Sequence, residues 1–99
     1  MMGKHSQEAL KIKQLEEIIE LKEKEIKFDY VFLDPPYGKG LVDDILFFLV
    51  ENQMLNDEAC IVVEELKEVE FQPISSLELS RRKEYGITAL NIFYYDGEK

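Results

Sequence analysis

The sequence predicts an α/β fold in which a helix, a strand, a second helix, a second strand and a β-hairpin build one mixed sheet. Three observations carry that expectation. Phe28–Leu33 and residues 59–63 are short apolar runs bounded by breakers, the pattern of strands buried on both faces. Between them, Val42, Ile45, Leu46 and Leu49 recur at helical spacing, so residues 41–52 read as a helix. A connection of that length makes the two strands parallel and the crossover right-handed. Finally, residues 77–83 and Thr88–Tyr95 flank Glu84-Tyr85-Gly86-Ile87, a turn that closes an antiparallel hairpin at the sheet edge.

With 99 residues and 45% hydrophobic content, the chain has room for one small domain over 1–99. Residues 1–5 read as a frayed start, and His5 as a surface residue. The net charge of -9 is a poor match for a phosphate backbone and counts against RNA binding by this piece alone. Cys60 is the only cysteine and lies inside an apolar run, so it is expected to be a buried free thiol in a reducing compartment. No apolar run approaches about 18 residues and no signal-peptide pattern is present. The expectation is a soluble, cytoplasmic protein without membrane contact.

In chain order, Ser6 can cap a first helix over 6–24, where Ala9, Ile12, Leu15, Ile18 and Ile19 fall near helical spacing. That helix reads either as one packed on the sheet or as a coiled-coil or partner helix. Lys27 marks the junction to the first strand. After that strand, Gly38-Lys39-Gly40 lacks the glycine of a dinucleotide fingerprint and the spacing of a Walker loop. The glycines let the chain turn and leave room beside a ligand. Glu64, Glu65, Glu68 and Glu70, with Asp57 and Glu58, read as a solvated acidic loop rather than a metal site. Arg81, Arg82 and Lys83 form the dense basic cluster. They either touch RNA phosphate or balance nearby carboxylates.

The first strand has an unusual ending. Asp34 precedes Pro35 and Pro36, so the backbone is held extended and offers carbonyl acceptors without matching donors. Tyr37 adds an aromatic ring. Ligands in open α/β sheets sit at the carboxyl ends of strands. This tip suits a planar ligand bearing an amino group: Asp34 and a proline carbonyl accept its N–H groups while Tyr37 stacks on the ring. A strand ending in a plain Pro-Pro turn with a capping Asp is the other reading of the same residues.

The stretch Phe28-Asp29-Tyr30-Val31-Phe32-Leu33-Asp34-Pro35-Pro36-Tyr37-Gly38-Lys39-Gly40-Leu41 resembles the signature of the RsmD-type ribosomal RNA guanine-N2 methyltransferases. The run Ala59-Cys60-Ile61-Val62-Val63-Glu64 is similar to the same family, as is Tyr85-Gly86-Ile87-Thr88 with the apolar strand after it. The resemblance covers residues 7–95 and the C-terminal half of that family. It implies part of a Rossmann-like methyltransferase sheet, with the helix over 6–24 as a crossover helix. It also implies methyl transfer from S-adenosylmethionine to the exocyclic N2 of a guanine in small-subunit ribosomal RNA, as in rRNA processing, with no metal.

In that picture Asp34, Pro35, Pro36 and Tyr37 are the catalytic residues, with Asp34 and Pro35 also candidates for cofactor contact. Tyr37, Lys39, Arg81 and Arg82 are the candidate RNA contacts, and the partner is ribosomal RNA or the small subunit. The family's glycine-rich cofactor loop lies before the matched region, so this chain alone is expected to be inactive and to bind S-adenosylmethionine weakly. The strand Phe28–Leu33 is expected to lack one neighbour, and its open edge to pair two chains into a homodimer unless the first helix covers it. A rival reading is a non-catalytic interaction module that retains the fold. The coding sequence upstream of Met1 discriminates the two readings.

Overall fold

The computed structural model describes residues 9–12, 19, 22–24, 26–34 and 41–97. The strands are β1 (Ala9–Ile12), β2 (Phe28–Leu33), β3 (Leu55–Leu66), β4 (Leu77–Tyr85) and β5 (Thr88–Tyr95), with helix α1 (Leu41–Glu51) between β2 and β3. They form one five-stranded sheet in the order β1-β2-β3-β5-β4. β1, β2 and β3 are parallel, whereas β5 runs antiparallel to both β3 and β4. The mixed sheet, α1 and the C-terminal hairpin are as expected.

α1 forms because Val42, Ile45, Leu46 and Leu49 fall on one stripe and are all buried. Asp43 and Asp44 in its first turn suit the positive end of the helix dipole. Its end is closed by two backbone bonds, Gln53 N–H to the Val50 carbonyl (3.1 Å) and Met54 N–H to the Leu49 carbonyl (3.0 Å). Gln53 takes the left-handed conformation (φ 55°) that this closure requires. The reversal drops Met54 into the core, where its carbonyl accepts the Phe28 N–H (2.9 Å) and starts β2. In the β4–β5 hairpin, Gly86 has positive φ (57°), at the first position of a two-residue loop where glycine carries no steric penalty.

The two faces of the sheet differ. On the helix face, Val31, Leu33, Ala59, Ile61, Val63, Ala89 and Phe93 are buried. On the opposite, open face, Phe32, Cys60, Val62, Leu90 and Ile92 are half-buried, while Tyr30 and Tyr94 are exposed. The expectation that β2 and β3 are buried on both faces therefore holds for one face only, and Cys60 is half-buried rather than buried. The reason is topological. α1, in the connection from β2 to β3, lies on one face of the sheet and covers that face. Lys22 and Glu23 line a cleft with Asn52, Gln53 and Met54 at the end of α1.

Three further expectations are corrected. Residues 9–12 are a strand, not part of a helix over 6–24. Ile19 and Lys22 are helical, and the rest of that span up to Leu21 lies outside the described residues. The β2 edge outweighs local helical propensity here, because it offers a row of backbone donors and acceptors. Ala9, Leu10, Lys11 and Ile12 pair with Tyr30, Val31, Phe32 and Leu33. The edge on which the homodimer rested is thus covered within the chain, by a strand rather than by the first helix. Lastly, β3 is far longer than 59–63, with an irregularity opposite Phe28–Tyr30 and Glu58 at φ 66°. Glu64 and Glu65 consequently belong to a strand, not to a solvated loop.

Candidate active site at the carboxyl end of strand β2

β2 lies between β1 and β3, and all three parallel strands present their carboxyl ends on one side of the sheet. Leu33, the last residue of β2, is fully buried and pairs with Ile12 and Val63. Asp34 follows directly and is half-buried. Leu33, held between β1 and β3, fixes the backbone from which Asp34 extends. Pro35, Pro36, Tyr37 and Lys39 lie outside the described residues.

Glu65 is a second carboxylate at this end of the sheet, and sequence reasoning missed its environment. It stands two residues beyond Val63 on the helix face and is 1% exposed. Its Oε1 accepts the Leu66 N–H at 2.8 Å, and the side chain is further partnered. A buried carboxylate is tolerated only when hydrogen-bonded. The signal was the period of two through Ala59, Ile61 and Val63, which places residue 65 on the buried face.

The basic cluster is split by the alternation of β4. Arg82 turns to the helix face, where its Nε donates to Asn91 Oδ1 (3.1 Å). Its two terminal nitrogens donate to Glu84 Oε2 (3.0 Å) and to the Lys67 carbonyl (2.6 Å). Asn91 is buried, and its Nδ2 in turn donates to the carbonyls of Val63 and Ala89, each at 3.3 Å. Arg82 therefore ties the hairpin to β3 and to the turn after it. Arg81 and Lys83 stand opposite Ile92 and Leu90, on the open face. The Lys83 ammonium lies 5.5 Å from the centre of the Tyr85 ring.

The same face carries the Tyr30, Cys60 and Tyr94 row, paired directly across β2, β3 and β5. The electrostatic influence of Cys60 raises the Tyr94 hydroxyl above the ordinary phenol value of 10.0, and a hydrogen bond with Cys60 adds to the effect. No helix among the described residues is long and apolar enough to cross a membrane.

An open α/β sheet, three parallel strands followed by an inserted antiparallel strand, with a carboxylate at a central strand's end, defines the class: a Rossmann-like methyltransferase sheet. Residues 1–94 match the family described as Conserved hypothetical protein 95, and the chain belongs to that family, of RsmD type. Residues of the "Uncharacterized methylase RP545" of Rickettsia prowazekii (strain Madrid E) are 35% identical over 68 positions, covering 69% of this chain and 29% of that protein. The "Putative rRNA methyltransferase YlbH" of Bacillus subtilis (strain 168) is 35% identical over 71 positions, covering 71% of this chain and 39% of that one. The crystal structure of "putative methylase HI0767" from Haemophilus influenzae superposes with a TM-score of 0.66 at 32% identity, over 70% of this chain and 43% of its own. The chain thus spans well under half the length of these relatives.

The described residues leave out Gly3, Gly38 and Gly40. Their glycines are Gly86, in the hairpin turn, and Gly97, whose N–H donates to Asp57 Oδ1 (3.0 Å). Neither forms a glycine-rich loop leaving a parallel strand, the arrangement that lets a backbone approach a nucleotide.

Proposed function

We propose that this chain supplies the amine-accepting half of an RNA methyltransferase site, acting on the exocyclic N2 of a guanine in small-subunit ribosomal RNA. The observation that carries the reading is Asp34, half-buried at the carboxyl end of a parallel strand whose last residue, Leu33, is fully buried. The family relationship and the name of the Bacillus subtilis relative support the substrate class. In this reading S-adenosylmethionine is the methyl donor.

The acceptor amine is a weak nucleophile because its lone pair is delocalised into the ring. In this reading Asp34 accepts one N–H, and the carbonyl of Pro35 or Pro36 accepts the other. Together they turn the lone pair out of the ring plane and stabilise the positive charge that develops on nitrogen. Tyr37 stacks on the extruded base. No strong base is required, since the alkylated nitrogen is acidic and loses its proton readily. Lys39 and Arg81 contact phosphate, while Arg82 positions the hairpin.

The test is methyl transfer by the protein that contains this chain together with the donor-binding part, using labelled S-adenosylmethionine and small-subunit ribosomal RNA. Asp34→Ala is expected to lower the rate by about 10²–10³-fold, with the fold retained because the changed group reaches the surface. Nucleoside analysis of the product should show N2-methylguanosine. Near-normal turnover in the variant removes Asp34 from the mechanism, and a methyl group on another base corrects the substrate.

A further inference from the structure

The outer strand of the hairpin carries a column of three exposed side chains. β4 is an edge strand, and its alternation sets Arg81, Lys83 and Tyr85 on the open face, opposite Ile92, Leu90 and Thr88. Arg82 and Glu84 point to the other face and pair with each other at 3.0 Å. From residue 81 to residue 85, the open face therefore holds two cations, one aromatic ring and no carboxylate. All three side chains are exposed, Tyr85 at 50%. The Lys83 ammonium stands over the Tyr85 ring, 5.5 Å from its centre. Charges on an edge strand discourage pairing with another strand, but that role does not call for an exposed aromatic ring at the end of the column.

The column runs toward the candidate site. Lys83 pairs with Leu90 and Leu90 with Glu64. Glu64 follows Val63 as Asp34 follows Leu33, and Leu33 pairs with Val63. Lys83 and Asp34 thus share one row of the sheet, roughly 14 Å apart at about 4.8 Å per strand. Tyr85, opposite Thr88, lies one step further toward the carboxyl ends of the parallel strands. Its support is fixed from both sides. Arg82 ties β4 to Asn91 and to the Lys67 carbonyl, and Thr88 Oγ1 donates to the Tyr85 carbonyl at 3.2 Å across the turn.

We propose that this column is a track for single-stranded RNA, in which Tyr85 stacks on a base flanking the target nucleotide while Lys83 and Arg81 pair with neighbouring phosphates. Aromatic rings alternating with cations hold an unpaired strand, because the ring takes the face of a base and the cations take its backbone. A duplex keeps its base faces stacked inside and offers none to Tyr85. With a net charge of -9, the chain as a whole does not draw RNA from a distance. Contact is made locally, where the two cations and the ring stand together. The inference rests on the RNA substrate of the proposed function, not on the role given to Asp34.

The experiment is fluorescence anisotropy of the 99-residue chain with a short, labelled, unpaired oligoribonucleotide, in the absence of methyl donor and over a salt series. Tyr85→Ala is expected to weaken binding roughly 5- to 150-fold, the loss of one stacked base. Tyr85→Phe keeps the ring and should keep the affinity. Lys83→Gln should flatten the slope of log K against log salt by about 0.7, one phosphate contact on a single strand. Urea unfolding is expected to be unchanged in each variant, since the positions are exposed. Unchanged affinity in Tyr85→Ala overturns the proposal and leaves the column to a protein partner. So does an equal loss in Tyr85→Phe, an unchanged salt slope in Lys83→Gln, no binding by the unaltered chain at low salt, or tighter binding of the annealed duplex. Methyl transfer that misses N2 while binding still depends on Tyr85 counts against the proposed chemistry alone. Binding indifferent to Tyr85 while methyl transfer proceeds counts against the track alone.

Discussion

Ile61 and Val62 are neighbours in β3, both β-branched and both apolar, yet they live in different environments. Ile61 is fully buried against the α1 layer, and Val62 is half-buried on the open face. The same contrast separates Val31 from Phe32 and Phe93 from Tyr94. Composition does not distinguish the two sets. What distinguishes them is which side of the sheet α1 occupies, and this decides where the protein stores stability.

The contrast is open to direct measurement by urea unfolding. Ile61→Ala is expected to cost about 2–5 kcal/mol, because the cavity lies in a packed core that collapses only partly. Val62→Ala removes two methyl groups that are still partly wet, and about 1 kcal/mol or less is expected. Equal losses would break the distinction between the faces.

A smaller effect is expected at the polar seam of the helix face. Asn91→Ala strips Arg82 Nε of its acceptor and leaves the Val63 carbonyl without its side-chain donor. Loss of about 1–3 kcal/mol is expected for groups left unpaired in a buried setting. Arg81→Ala, on the open face, should stay within about 0.5 kcal/mol. Similar losses for the two variants would mean that the alternation of β4 does not sort the basic residues into a structural and a free member.

The smallest effect concerns Tyr94. Its hydroxyl is held above the ordinary phenol value of 10.0, first by the electrostatic influence of Cys60. A phenol whose pKa rises on folding keeps its proton more tightly in the folded state. Its contribution to stability is therefore complete below the unfolded value of about 10, and is lost as pH climbs through the raised one. Absorbance titration at alkaline pH should show Tyr94 returning toward the ordinary value in Cys60→Ser. An unchanged titration would break the coupling across the β3–β5 pair.

Much of this was readable from local pattern. The α1 stripe, the hairpin around Gly86 and the apolar runs of β2 and β3 are signals carried by residues a few positions apart, and each became the element its period implied. The position of Asp34 just past the end of β2 was equally legible, because a carboxylate before two prolines after an apolar run is a local feature. Glu65 was not: as one of several acidic residues in a row it reads as solvated, and the period of two through Ala59, Ile61 and Val63 reaches it only once β3 is seen to run on to Leu66.

The sequence by itself determined which segments alternate with a period of two and which with a period near four, since that follows from side-chain direction along each backbone. Tertiary structure decided three other matters. It made residues 9–12 a strand, because a neighbouring edge supplied hydrogen bonds that a marginal local helix could not match. It extended β3 to Leu66, because β5 was there to pair residues 60–66. It left one face of the sheet only half-buried, because the hand of the β2–β3 crossover put α1 on the other side. Each outcome depends on partners distant in sequence, and no local period encodes which partner arrives.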